Sequence, residues 1–293
     1  MGNGRKKRFG DRRDGRRLRT IDPYIAMMPY IMKTKNDANN YFKDSVEISE
    51  AERFLRLKRL HGYPGMGLLH LFIAAYIRVI AQYPALNRFV AGQRLYARHD
   101  IEFVMSVKKE LKAKAEETSI KVVFDRRDTI SDVYTKLNAE IYKAKYENTA
   151  TETDDVAKAF MKMPRLILKF AVFFLGTLDY FGRLPKSLVS VSPFHGSIVI
   201  TDLGSIGLPA IYHHLYNFGN IPIFIAFGAK RKVYVPRKDG QIDARKVLDY
   251  TLVLDERICD GFYFSQIFKT FNSILRKPQV LDSPPESVVE DVD

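Results

Sequence analysis

The sequence predicts an α/β domain in which long helices pack on a mixed β-sheet. Two observations carry this. Apolar residues at helical three-and-four spacing alternate along the chain with short strand-like runs, and the C-terminal third concentrates β-branched and aromatic runs between turn signals. With 293 residues and 46% apolar content, the chain can bury a sizeable core as one large domain or two small ones.

The elements follow in order. Residues 41–48 alternate apolar and polar as a strand does, and Ser49 with Glu50 and Glu52 marks a helix start. That helix carries Phe54 and Leu57 and stops at Gly62 and Pro64. A second helix begins near Gly67, aligns Leu69, Phe72, Ile73, Tyr76, Ile77 and Ile80 as a core stripe, and ends before Pro84. Residues 94–97 and 101–107 read as paired strands, with another strand at 120–124 and a helix opening at Asp128 and Thr129. The charged segment 146–158 reads as a surface connection. Residues 166–181 are the most apolar stretch but are broken by Lys169 and Asp179, short of the roughly 20 apolar residues that span a bilayer. They predict a buried or amphipathic helix, with an interfacial membrane helix as the alternative. Strands follow at 197–201, 221–227, 231–235 and 247–254, Pro222 standing where a missing donor is tolerated. A last helix after Asp260 and Gly261 aligns Phe264, Ile267, Phe268, Phe271 and Leu275.

Charge is unevenly spread. The formal net charge is +13, and residues 1–20 hold Arg5, Lys6, Lys7, Arg8, Arg12, Arg13, Arg16, Arg17 and Arg19 against Asp11 and Asp14. Residues 282–293 hold acids and no base. The expected organisation is a basic, disordered arm over 1–20, a domain over 21–281 and an acidic tail over 282–293. No aromatic-rich strand motif, helix-turn-helix spacing or Cys/His finger accompanies the arm, which argues against sequence-specific nucleic-acid recognition. Attraction of residues 5–19 to an acidic partner, RNA or a membrane surface is the looser alternative. The single cysteine, Cys259, excludes an internal disulfide framework and a cysteine zinc site, so a reducing, cytoplasmic location is expected. No apolar run follows the N-terminal charges, so a secretory signal is not expected.

Three patterns, in order, resemble the acyltransferase catalytic domain shared by chloramphenicol acetyltransferases and dihydrolipoyl acyltransferases. The helix before Pro84-Ala85-Leu86-Asn87-Arg88 resembles that family's helix and Pro-x-Leu-Asn turn. The run Ile198-Val199-Ile200-Thr201-Asp202-Leu203-Gly204-Ser205-Ile206-Gly207 resembles its strand ending in Ser/Thr, Asn-Leu-Gly and a Gly-rich turn. The run Asp255-Glu256-Arg257-Ile258-Cys259-Asp260-Gly261 resembles its Asp-His-Arg-x-x-Asp-Gly signature, with Glu256 in the histidine's place. The resemblance covers residues 20–280 and includes no lipoyl domain. It implies a two-layer chloramphenicol acetyltransferase-like sandwich with a mixed sheet, assembled as a homotrimer with its site between subunits. It also implies coenzyme A or an acyl-coenzyme A thioester as substrate, with no covalently bound cofactor.

On that resemblance, Glu256 takes the base's place and Thr201 donates to the oxyanion, while Asp260 is the second acid, paired with an arginine that holds the loop. Asp255, Arg257 and Gly261 frame the site, Arg257 pairing across the subunit contact and Gly261 permitting the turn. Gly204 and Ser205 let backbone amides approach a pantetheine arm, although a Gly-rich turn has the same composition. A carboxylate, with a reference pKa of about 4.3, is a weaker base than imidazole, so a thiol or amine acceptor is favoured over an alcohol. The two functional expectations are a coenzyme A-dependent acyltransferase with an altered base, and a trimeric acyl-coenzyme A-binding or scaffolding module, a pseudoenzyme that kept the fold. His195 is a candidate substitute base. His213 and His214 match no site of the family, and no metal site is expected.

Overall fold

The computed structural model describes residues 6–108, 117–146, 159–237 and 239–293. A six-stranded mixed sheet forms its centre, from β2 (Asn39–Glu47), β5 (Ile101–Lys108), β6 (Glu117–Phe124), β7 (Ile198–Asp202), β8 (Ile223–Pro236) and β9 (Ile242–Asp255). The strand order is β2-β9-β8-β7-β5-β6, with β7 parallel to both neighbours and every other pair antiparallel. A second sheet joins β1 (Gly15–Arg17), β4 (Arg94–Arg98) and β3 (Arg88–Ala91) in the order β1-β4-β3.

Period-two alternation gives the large sheet one face for helices. Val46, Phe103, Met105, Ile198, Ile200, Ile223, Ile225 and Leu252 point into the main core, where α2 (Ser49–Leu60), α3 (Leu68–Gln82), α4 (Ile130–Tyr146) and α7 (Gly261–Arg276) cover them. Among these helices α3 is buried continuously from His70 to Ala81. Its Phe72 stacks on Phe227 of β8 with ring centroids 4.8 Å apart. The opposite face is smaller: Val199, Phe224 and Val253 lie under Leu215 of the loop that follows β7. Thr201, two residues beyond Val199, belongs to this face.

The fold is the predicted sandwich, with local corrections. Strand 94–98 does not pair with 101–108. It pairs with β3, a short strand the sequence reading left out, because Gly92 and Gln93 both take positive φ and close a two-residue hairpin. The runs 221–227 and 231–235 are one strand, β8, passing through an irregularity between Phe227 and Lys230. The helix α1 (Pro23–Ile31), capped by Asp22, was also not foreseen. Nearly all of the connection expected over 146–158 lies outside the described residues.

The expected disordered arm is corrected from residue 6 onward. Gly15–Arg17 add a strand to β4, and Arg12 is buried against Asp14 and Asp179 at 3.0 and 2.5 Å. The acidic tail folds back to meet it. Arg8 pairs with Asp293, Arg16 donates to the Asp291 and Val292 carbonyls, and the Arg19 and Thr20 amides donate to the Asp293 carbonyl. Arg88 holds Asp291 through two bonds, Nε to Oδ2 at 2.8 Å and Nη2 to Oδ1 at 2.5 Å, both side chains nearly buried. The two charged extremes therefore partly neutralise each other within the fold. Asp291→Ala leaves Arg88 with only its bond to the Ile258 carbonyl, at an expected cost of about 2 kcal/mol. Urea unfolding at fixed protein concentration measures this; an unchanged midpoint would show that the tail does not pin the domain.

Candidate active site

The loop after β9 is organised by an ion pair inside it. Asp255 is fully buried and clasps Arg257, with Nε donating to Oδ1 at 2.7 Å and Nη2 to Oδ2 at 2.6 Å. Arg257 Nη1 donates to the Met32 carbonyl at 2.7 Å, and the Asp255 amide to the Pro222 carbonyl at 2.8 Å. Arg257 is thus an internal clamp, which replaces the expected pairing across a subunit contact. Between these two residues Glu256 opens the turn that follows β9. Its backbone amide donates to the Ala38 carbonyl at 2.9 Å, its side chain is half-buried, and its Oε2 accepts from Asn40 Nδ2 at 2.8 Å.

Asp260 has a different partner from the arginine expected of it. Its Oδ1 accepts from the Tyr263 amide at 2.9 Å and caps α7, and the residue is exposed. Gly261 has ordinary helical backbone, and a Cβ there would meet nothing within 4 Å, so the turn does not require glycine. Cys259 is buried, and that burial pushes its thiol far above the ordinary range, so it is no nucleophile.

Thr201 is the last residue but one of β7, half-buried, its hydroxyl without a hydrogen-bond partner among the described residues. Across the sheet it stands in one row with Ala226 of β8 and Thr251 of β9. Glu256 lies five residues beyond Thr251, about 17 Å along the strand, and two strand spacings, roughly 10 Å, across the sheet. The two predicted catalytic residues therefore stand about 20 Å apart within one chain.

The turn after Thr201 has an internal explanation. A Cβ on Gly204 would lie 2.5 Å from the Gly228 carbonyl oxygen, so the glycine lets this turn pack on β8. The Ser205 amide and hydroxyl both donate to Asp202, to Oδ1 at 2.9 Å and to the carbonyl at 2.7 Å. Asp202 itself was not singled out from the sequence. Burial pushes its carboxyl up, against the Ser205 and Gly204 amides and Lys230.

His195 is not placed to act as a substitute base. It is fully buried, with Nδ1 at 2.8 Å from Ser192 Oγ and Nε2 at 3.4 Å from Asp179 Oδ2. Burial alone would raise the Asp179 carboxyl, but His195 and Arg12 outweigh it and hold it down from 3.8 to about 2. A depressed carboxylate stabilises the fold above its unfolded pKa. Asp179 is therefore expected to contribute about 2 kcal/mol near neutrality, declining below pH 4 and lost as the pH falls through 2. Asp179→Asn should flatten the acid limb of the stability curve in urea titrations. His213 stacks on Phe224 with centroids 4.0 Å apart; its Nε2 is enclosed without a partner, and burial and then His214 push its pKa down. Among the described residues no group of His, Cys, Asp and Glu could hold a metal ion.

Sequence reasoning also passed over Lys35 and Asn40. Lys35 Nζ donates to the Tyr216 and Gly219 carbonyls at 2.9 and 2.7 Å, and burial pulls its amine down to about 7 against the opposing effect of Asp255. Asn40 lay just outside the strand expected over 41–48 and belongs to β2.

Residues 188–282 match the family model described as 2-oxoacid dehydrogenases acyltransferase (catalytic domain). No curated protein matches the chain by sequence. A probable dihydrolipoamide acetyltransferase from Listeria monocytogenes superposes with a TM-score of 0.58 at 13% identity, covering 88% of this chain and 94% of that one. An Azotobacter vinelandii dihydrolipoamide acetyltransferase, in whose catalytic mechanism the roles of a serine, a histidine and an asparagine were investigated, gives 0.57 at 14% identity over 95% of this chain and 94% of its own. A chloramphenicol acetyltransferase gives 0.51 at 12% identity over 88% and 99%. Residues 188–282 are thus similar to the 2-oxoacid dehydrogenase acyltransferase catalytic domains, and over most of its length the chain has the chloramphenicol acetyltransferase-like fold.

Proposed function

We propose that the protein is an acyltransferase acting on a coenzyme A thioester, with Glu256 as base, Thr201 of an adjacent subunit as oxyanion donor, and a thiol or amine as acceptor. The observation that carries this reading is the buried Asp255–Arg257 clamp. A buried ion pair is a poor stabiliser beside apolar residues of the same volume, so its value lies in fixing geometry. What it fixes is the direction of Glu256, whose Oε2 is held by Asn40 while Oε1 is left for a substrate proton.

The step balances simply for a thiol acceptor. Its proton passes to the Glu256 carboxylate, the sulfur attacks the thioester carbonyl, and the Thr201 hydroxyl donates to the resulting oxyanion. Collapse expels the coenzyme A thiolate, which takes the proton back. A thiol with a pKa near 8.5 is about four units above a carboxylate, a demanding transfer, and an alcohol is far beyond it. The separation of about 20 Å between Thr201 and Glu256 in one chain supports assembly into a homotrimer, where a site between subunits brings them together. Thr201, Glu256 and Asp260 also stand in the serine, histidine, asparagine order of the Azotobacter enzyme. Free-thiol release from a panel of acyl-coenzyme A esters, with thiol, amine and alcohol acceptors, tests the reading; no release by the wild type with any acceptor overturns it.

A second reading has its own observation. The imidazole that the resemblance implies is absent at Glu256, and among the described residues His195 is sealed in the core and His213 Nε2 is enclosed. A trimeric module that binds an acyl thioester without turning it over would retain coenzyme A binding by calorimetry and release no thiol.

A further inference from the structure

The helix α5 (Arg165–Tyr180) has little body contact except at its C-terminal end. There Asp179 meets Arg12 and His195, and the Tyr180 hydroxyl donates to Gln93. At 3.6 residues per turn, Leu168, Ala171, Leu175, Leu178 and Asp179 face inward. The outward stripe is Leu166, Phe170, Phe173, Thr177 and Phe181, flanked by Ile167 and Phe174. Leu166 is 80% exposed, Phe173 70%, Phe181 68% and Phe170 67%. The four phenylalanines alone expose on the order of 500 Å², as much as the largest apolar patch on an ordinary monomer. Of the readings offered for this segment, the buried helix is thereby corrected.

Charge identifies what covers this face. Within residues 159–200 the only acid is Asp179, consumed by Arg12, whereas Lys162, Arg165, Lys169, Arg183 and Lys186 are cationic. Arg12 of the anchored end also lines a groove of about 870 Å³, whose eleven Lys and Arg residues outnumber Asp11, Asp100, Asp125, Glu290 and Asp293; among the described residues the side chains of Lys6, Lys7, Arg13, Arg127 and Lys186 have no carboxylate partner. A second copy docked through this same face would set Lys162, Arg165, Lys169, Arg183 and Lys186 against their own counterparts. The segments 109–116 and 147–158 are too polar to be the cover: the second offers only Ala150, Val156 and Ala157 as apolar residues. An anionic bilayer supplies both an apolar interior and opposite charge. The helix does not cross it, since 16 residues reach about 24 Å and a hydrocarbon core is about 30 Å thick. Among the described residues no helix is long and apolar enough to do so.

We propose that α5 and the basic groove beside its anchored end dock the protein peripherally on an anionic lipid surface, the phenylalanine stripe lying in the plane of the interface. The absence of tryptophan gives a clean test, because Phe173→Trp places a single reporter on the stripe. With phosphatidylglycerol-containing vesicles its emission shifts to the blue, the shift weakens with salt, and pure phosphatidylcholine produces little. A control reporter, Tyr234→Trp on the exposed β8–β9 hairpin, does not shift. In vesicle co-sedimentation, Phe170→Ser with Phe173→Ser loses about tenfold or more in affinity, and Lys169→Gln, which leaves the stripe intact, loses about fivefold. The variants' melting temperatures and assembled masses establish that they remain folded. The proposal is overturned by a Phe173→Trp reporter that stays unshifted on anionic vesicles, or by an equal shift at the hairpin. It is also overturned if the wild type ignores vesicles and the serine pair dissolves a self-assembly, which assigns the stripe to a second copy.

Discussion

Mixing Glu256→Gln chains with Thr201→Ala chains is expected to restore acyl transfer that neither variant has alone. Glu256→Gln keeps the bond from Asn40 in size and place but removes the proton acceptor, an expected loss of about 10²- to 10⁴-fold. Thr201→Ala removes the hydroxyl that meets the oxyanion, about 10²- to 10³-fold. Within one chain the row from Thr201 through Ala226 to Thr251 leaves Glu256 at the far end of β9. A site that needs both residues must then draw them from two chains. Random assembly gives about a quarter of the subunit contacts a Glu256 from one variant facing a Thr201 from the other, so about a quarter of wild-type activity returns on mixing. Coexpression with differently tagged chains, purification of the mixed species and a free-thiol assay measure it. Recovery near zero in confirmed mixed assemblies would place both residues in one subunit's site, or neither in any site.

How far the site was legible depended on the distance over which each interaction acts. Glu256, Arg257 and Asp260 stood out because they occupy a short contiguous pattern, and the strand-to-helix change there was visible in local periodicity. Their partners were not. The Arg257 guanidinium is close to three possible carboxylates in sequence, and only the structure shows it on Asp255 while Glu256 accepts from Asn40 and Asp260 caps α7. Asn40 reaches Glu256 because β2 pairs with β9 in the register that sets Asn39 against Asp255, a long-range fact with no local signature. The same limit explains the arm. Arg12 and Arg16 read as part of a basic arm, but Arg12 binds Asp179, 167 residues away, as well as Asp14, and Arg16 donates to the Asp291 and Val292 carbonyls, 275 and 276 residues away. In the other direction, the apolar run 166–181 was legible as a helix but left open between a buried, an amphipathic and an interfacial one, because hydrophobicity specifies a partner without saying whether this chain supplies it.

Asp255→Ala is expected to cost about 3–5 kcal/mol of stability, since it strips the partner from a guanidinium that stays buried. The two side chains are 1% and 3% exposed, and backbone bonds fix the loop on both sides: the Asp255 amide to Pro222, the Glu256 amide to Ala38 and the Ile258 amide to the Asp255 carbonyl. Arg257 therefore cannot swing to water without breaking the loop that carries Glu256. Against a typical total of about 5–15 kcal/mol, the loss moves the denaturation midpoint substantially. Removing both charges separates stability from function. Asp255→Leu with Arg257→Met replaces the ion pair by apolar volume and should recover most of the lost stability, because a buried pair is worth little against well-packed side chains. It should not recover acyl transfer, because the apolar pair no longer fixes the direction of Glu256. Urea unfolding at one protein concentration, with thiol release measured on the same preparations, distinguishes the cases. Full activity in the apolar pair would remove the clamp from the mechanism, and a loss below about 1 kcal/mol in Asp255→Ala would mean that the guanidinium finds another partner.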